Sequence, residues 1–341
     1  MQNRLLKTLA GNPVDRPALW MMRQAGRYLP EYLMVRQKAG SFWNLCFNPD
    51  LATEVTLQPI RRFDYDAAII FSDILVIPQA LGQKVEFQTN HGPILDPLMW
   101  DSVCQFQDWH RFDQGLSPVY QALRQTRHQL DPGKDLLGFA GTPWTIATYM
   151  LDQGKGHDHS KSRLALQNPS DLKPLINILT TAIARHLINQ IKAGADVVQL
   201  FDSWASIVPE SHRDSLLFDP LTKIINQINT EIGRPVPIIY FGRGISDSYE
   251  ALCQRQLPIA LGIDQDANLR KLHTVLPKNI VFQGNLSPQT LIEGGIALDQ
   301  EISGILEICR DRPMIFNLGH GILPQTPIAH VERVCELVRA A

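Results

Sequence analysis

A chain of 341 residues that is 44% hydrophobic and 19% charged can bury a large core, which excludes a disordered protein. That length fits one α/β barrel or two smaller domains. A formal net charge of −2 excludes general electrostatic attraction to nucleic acid or to an anionic membrane, so positive potential for an anionic ligand must be focused in a cleft.

The opening stretch Met1-Gln2-Asn3-Arg4-Leu5-Leu6-Lys7 lacks the long apolar core of a signal peptide, and no later run approaches the length of a membrane span. The expectation is a cytoplasmic protein with no membrane partner. The first apolar run, residues 18–22, ends in Arg23, with Arg27 four residues on and the small pair Ala25-Gly26 between. Two guanidinium forks at one strand end match planar carboxylates or phosphates and suggest a polyanionic substrate. The other reading is two surface arginines over a helix N-terminus. The second run, 67–71, leads into Ser72-Asp73. The interval 79–135, rich in His, Trp, Gln and Pro, is expected to elaborate the connection between strands two and three.

The third run, 136–140, meets Gly141-Thr142-Pro143, where Pro starts a helix and sets Tyr149 about one turn beyond Thr145. His157-Asp158-His159, flanked by Gly, Lys and Ser, reads as a mobile loop, with no Cys or Glu at zinc spacing. Runs 197–201, 237–241, 259–263, 280–282 and 314–318 follow, and after them stand Asp202-Ser203, Gly242-Arg243, Asp264, Asn285 and Gly319-His320-Gly321. Helical spacing fills 172–192, 216–232, 268–276 and 329–338.

Near-continuous apolar runs alternating with helices predict parallel strands covered on both faces, hence a single (β/α)8 TIM barrel over residues 1–341. The short gap between the sixth and seventh runs leaves room only for a short crossover helix. In such a barrel the strand ends carry the site. Asp73 can accept N–H donors or stabilise a developing cation, or cap a helix. Tyr149 can reach over the cleft or bond backbone in the core. Ser203 can donate one hydrogen bond or close a turn. His320, between two glycines, can bind a carboxylate or move a proton, or be structural. Gly242-Arg243-Gly244 is neither a dinucleotide fingerprint nor a Walker loop, and no Gly-x-Ser-x-Gly elbow occurs. The site is expected to need no metal and no cofactor, and the five widely spaced cysteines are expected to be reduced.

The block Met22-Arg23-Gln24-Ala25-Gly26-Arg27-Tyr28-Leu29-Pro30-Glu31-Tyr32 resembles the first signature of the uroporphyrinogen decarboxylase family. Leu57 to Phe63 with Ala67 to Leu75, Gly138 to Tyr149, Gln283-Gly284-Asn285-Leu286 and Asn317-Leu318-Gly319-His320-Gly321 are similar to its later blocks, so the likeness spans nearly the whole chain. Two departures stand out. Where the family continues from Tyr149 to a Glu-Gly pair, this chain reads Met150-Leu151-Asp152-Gln153-Gly154; and the family's Asp-Trp after strand six is here Asp264-Gln265.

The resemblance implies a cofactor-free carboxy-lyase that converts uroporphyrinogen III to coproporphyrinogen III by removing four acetate carboxyl groups, and a homodimer. It further implies that Asp73 receives the pyrrole N–H groups and that Arg23 and Arg27 hold substrate carboxylates. Tyr149, Ser203 and His320 would bind further carboxylates, with Gln24 and Phe201 lining the cleft. Two rivals remain: a zinc-dependent corrinoid methyltransferase on a related barrel, for which no His-x-Cys pair is present, and a non-catalytic tetrapyrrole binder.

Overall fold

The computed structural model describes residues 3–88, 92–154 and 158–341. Eight parallel strands, β1 (Ala18–Leu19), β2 (Ala67–Ile69), β3 (Asp135–Gly141), β4 (Val197–Asp202), β5 (Ile238–Gly242), β6 (Ile259–Gly262), β7 (Phe282–Leu286) and β8 (Met314–Leu318), form one sheet. Its order runs β1-β8-β7-β6-β5-β4-β3-β2. This is the expected TIM barrel, and it is almost closed. The β1–β2 seam is bridged by Asp66: its backbone N–H donates to Leu19 O (2.9 Å), and its carboxylate accepts from Leu19 N (2.8 Å).

Alternation along each strand turns one set of side chains into the lumen. Ala18, Trp20, Ala67, Leu137, Val197, Ile239, Ala260, Val281 and Ile315 pack there as one apolar layer. The helix Arg4–Leu9 closes the amino-terminal end by placing Leu5 in that layer. One layer up, the lumen turns polar: Trp20 Nε1 donates to Gln283 Oε1 (3.0 Å), and Gln283 Nε2 donates to Gln199 Oε1 (3.1 Å). Each amide satisfies its neighbour, so this buried rung avoids the cost of unpaired polar atoms.

The outer helices lie close to their expected limits, at Lys173–Lys192, Asp219–Ile232, Leu269–Val275 and Ile328–Arg339. The helix between β6 and β7 is indeed short. Two details differ. The seventh strand spans Phe282–Leu286 rather than 280–282, because Gln283, Gly284 and Asn285 read as a turn by composition yet pair along β8. The 79–135 elaboration contains an antiparallel hairpin, Val85–Gln88 with Gly92–Leu95, and the helix Trp109–Gln129 that connects β2 to β3. Among the described residues no helix is long and apolar enough to cross a membrane.

Candidate active site

Counting by twos up the lumen face leads from the core to the carboxyl-terminal mouth. On β4 the sequence is Val197, Gln199, Phe201 and then Ser203; on β5 it is Ile239, Phe241 and then Arg243; beyond β2 the same step from Ala67 arrives at Asp73. Phe201 packs edge-on between Phe139 (ring centroids 5.7 Å) and Phe241 (6.3 Å), and Phe241 meets the His320 ring at 6.5 Å. An aromatic floor thus separates the mouth from the polar rung below.

Other residues at the strand ends serve the scaffold. Asp202 accepts from Thr145 Oγ1 (2.8 Å) and Tyr240 OH (3.0 Å), and burial raises its pKa to about 6. Asp264 accepts from Gly244 N (2.7 Å) and Asp266 N (2.9 Å), while Asn285 donates to Asp264 O (3.1 Å). Thr142 caps the helix Pro143–Asp152, with Pro at its first position as the sequence predicted. That helix carries Tyr149.

Arg23 occupies the left-handed region at φ 61, an uncommon state for a side chain other than glycine. Its neighbours hold the bend. Gln24 is fully buried: its carbonyl accepts from Met21 N (3.2 Å) and its amide donates to Ala67 O (3.3 Å), while Tyr28 OH donates to Gln24 O (2.8 Å). Gln24 therefore braces the turn through backbone bonds behind the cleft. From the other side, Met22 N donates to Asn317 Oδ1 (2.9 Å) and Ile322 N to Met22 O (3.0 Å). The Arg23 stem lies so close to Gly321 that a Cβ there would fall 2.7 Å from Arg23 Cγ. Glycine at 321 is what leaves the arm its path.

The charges at the mouth are coupled. Asp73 Oδ1 accepts from Leu75 N (2.8 Å), which orients the carboxyl group, and burial raises its pKa to about 6 against the lowering influence of that N–H and of Arg23. Burial raises the Tyr149 pKa, with the Asp73 charge acting in the same direction. The Arg23 pKa is lowered, first by desolvation; Tyr149 and Asp73 oppose the shift, and Arg27 and Arg243 add to it. Arg23 nevertheless touches solvent, a combination expected on the wall of a concave bowl, where protein surrounds a group that water still reaches. His320 is pushed down to about 3 by burial and then by Arg23 and Arg243. Near neutral pH it is therefore a neutral imidazole, and moving a proton there would need a neighbouring anion to raise its basicity.

Among the described residues, the guanidinium groups of Arg23, Arg27 and Arg243 have no hydrogen-bond or ion-pair partner, and neither does the Ser203 hydroxyl. Arg23, Arg27, Asp73, Tyr149 and His320 converge electrostatically, with Phe201 below them. Arg243 stands among the strand-end residues of the sequence without a role assigned to it; the signal for one is its place two residues beyond Phe241. The expected loop at 157–159 needs correcting in part. His159 is buried, its ring 4.3 Å from that of Trp204 and its Nδ1 3.7 Å from Asp152 Oδ2; His157 lies outside the described residues. Asp152, at the first departure from the family pattern, accepts from Ser162 Oγ (2.6 Å) and Lys161 N (2.9 Å). Among the described residues no cluster of three or more His, Cys, Asp or Glu could hold a metal ion.

Comparison with known proteins fits this geometry. Residues 1–341 match the family described as Uroporphyrinogen decarboxylase (URO-D). A protein named uroporphyrinogen decarboxylase from Mesorhizobium japonicum is 44% identical over 338 residues, covering 99% of this chain and 98% of its own. Another of that name from Rhodospirillum rubrum is 41% identical over 341 residues, covering 99% and 97%. Among solved structures, a methyltransferase from Methanosarcina mazei superposes with a TM-score of 0.79 over 99% of this chain and 96% of that one; at 21% identity this likeness speaks to the fold alone. On this evidence the chain belongs to the uroporphyrinogen decarboxylase family and is a carboxy-lyase.

Proposed function

We propose that this protein removes the carboxyl groups of all four acetate arms of uroporphyrinogen III, giving coproporphyrinogen III and four molecules of carbon dioxide. The observation that carries the reading is one oriented carboxylate, Asp73, at the mouth of a barrel whose nearby guanidinium groups lack protein partners. A reduced tetrapyrrole offers the complement, with pyrrole N–H donors at its centre and eight carboxylates at its rim.

Each round begins with proton transfer to a ring carbon beside the acetate arm, which turns the pyrrole into an electron sink. The bond to the carboxylate then breaks, carbon dioxide leaves, and its electron pair enters the ring. Protonation of the resulting methylene gives the methyl group, and loss of the first proton restores the pyrrole. The net change is one proton gained and one carbon dioxide lost, with no external oxidant or reductant. Asp73 would accept the pyrrole N–H groups and balance the cation as it forms; interactions stronger in the transition state are the ones that raise the rate. Arg23 and Arg27 would hold carboxylates at about 1.5–3 kcal/mol each. A guanidinium is a poor acid, so Arg23 serves the protonation better by holding a water or the substrate's own carboxyl group than by giving up its proton. Tyr149, Ser203 and His320 would donate further hydrogen bonds, Phe201 would carry the macrocycle's apolar face, and Gln24 would keep Arg23 in place.

The same reading takes residues 1–341 as one cytoplasmic domain that acts as a homodimer, which light scattering tests directly. The central test is anaerobic incubation with chemically reduced uroporphyrinogen III, followed by chromatography of the oxidised products. A ladder of hepta-, hexa- and pentacarboxylate species ending in coproporphyrin is expected. Recovery of unchanged octacarboxylate would end the proposal.

A further inference from the structure

The geometry points to Arg243 as a carboxylate-binding residue that faces Arg23 across the mouth, so that the two, with His320 between their influences, form a seat for one rim carboxylate of the ligand. Nothing in the comparisons assigns Arg243 a role, and its Gly-Arg-Gly setting carries no recognised anion-binding motif.

The argument begins with topology. In the order β1-β8-β7-β6-β5-β4-β3-β2, β5 lies four steps from β1 by either route around the wall. Arg23 follows β1 and Arg243 follows β5, so their backbones stand on opposite sides of the barrel. Arg243 keeps the inward register of Ile239 and Phe241, one step above the ring that touches His320. Its backbone is fixed: Arg243 N donates to Asp202 O (3.1 Å), and the next N–H, of Gly244, is held by the Asp264 carboxylate (2.7 Å). Asp202 and Asp264, buried at 0% and 2% exposure, thereby anchor the segment that presents the guanidinium while their own charges stay engaged.

From opposite walls the two arms still approach closely enough that Arg243 bears on both Arg23 and His320. Like charges converging over a cleft are held apart only by their repulsion, and an anion between them relieves it. Asp264, just beyond the neighbouring strand, already accepts two backbone N–H bonds, which leaves the ligand to supply the partner for the guanidinium. His320 can offer a ring N–H as a third donor to a carboxylate held there.

The identity of the ligand rests on the decarboxylase reading; the seat itself rests on the arginines. The probe is therefore coproporphyrin III, a stable tetracarboxylate that cannot be turned over, with binding followed by fluorescence at several salt concentrations. Arg243→Gln is expected to weaken it on the order of 10–100-fold, the scale of one charge-assisted hydrogen-bonded clamp. Its binding should also become less sensitive to salt. Arg243→Lys, which keeps the charge but not the fork, should fall between the two. In turnover of uroporphyrinogen III, Arg243→Gln should raise KM by more than it lowers kcat.

Should the glutamine variant prove unstable, the lysine variant alone decides, since a planar two-point seat must lose affinity on that change. Wild-type binding and salt dependence in folded variants would overturn the inference while leaving the decarboxylase reading intact. Weakened porphyrin binding in a protein that fails to decarboxylate would uphold the seat and overturn the reaction.

Discussion

The two ends of the barrel use the same residue types in opposite ways. At the amino-terminal floor, Arg16 grips Asp66 through two bonds (2.7 and 2.9 Å), Arg4 reaches Asp66 (3.3 Å) and Asp15, and Asp135 accepts from Leu6 N (3.2 Å). At the mouth, Arg23, Arg27 and Arg243 have no such partner among the described residues. Paired charges close the β1–β2 seam, whereas unpaired ones leave a field that only a ligand can satisfy. The contrast also explains how a chain with net charge −2 can draw in a polyanion.

The hardest blow to the floor should be Asp66→Ala. It strands Arg16, removes one of the two carboxylates on Arg4 and breaks the seam, and removing one member of a half-buried charge network costs on the order of 3–5 kcal/mol. Urea denaturation measures this; a loss below about 1 kcal/mol would mean that the seam closes without the network. At the mouth, Asp73→Asn should lower turnover on the order of 10²-fold or more while the protein remains folded. Near-normal turnover would remove Asp73 from the mechanism.

That same variant sharpens the contrast, because its effect on stability should have the opposite sign. Burial raises the Asp73 pKa to about 6 from an ordinary 3.8, so the native state holds the proton more tightly. Stability is therefore greatest below the lower value and is lost as pH rises through that window. Above pH about 6 the ionised carboxylate costs up to about 3 kcal/mol, and Asp73→Asn should be the more stable protein there, with the gap closing near pH 4. Denaturation at the two pH values would show it. By the same titration, wild-type kcat/KM should decline below pH about 6. The smallest effect expected is that of Arg27→Ala, a rise in KM of about tenfold with less change in kcat. A larger fall in kcat would place Arg27 in the transition state instead.

Much of the scaffold was legible in the chain because burial on both faces of a parallel strand leaves unbroken apolar runs, as at 314–318, where expectation and strand coincide. The step from strand end to candidate site reaches Arg23, Asp73 and His320, and Arg23 bears electrostatically on both of the others. It failed to separate Asp202 and Asp264 from them: which face a residue takes beyond a strand depends on Thr145, Tyr240 and Gly244, far off in sequence. β7 was misplaced because Gln283 serves inside the barrel, where composition argues against it and only Trp20 and Gln199 make it fit. The charge state of His320 was likewise hidden, being set first by burial and then by arginines from two other walls.

Gly321 gives the site a form of control that no charged residue supplies. Because the Arg23 stem runs through the space a side chain would fill, Gly321→Ala would redirect the guanidinium while leaving every ionisable group in the protein unchanged. A single methyl would then act as a steric displacement of charge. The aim of the cleft is thus encoded partly in an empty volume, where any larger residue would displace the Arg23 arm without adding or removing a charge.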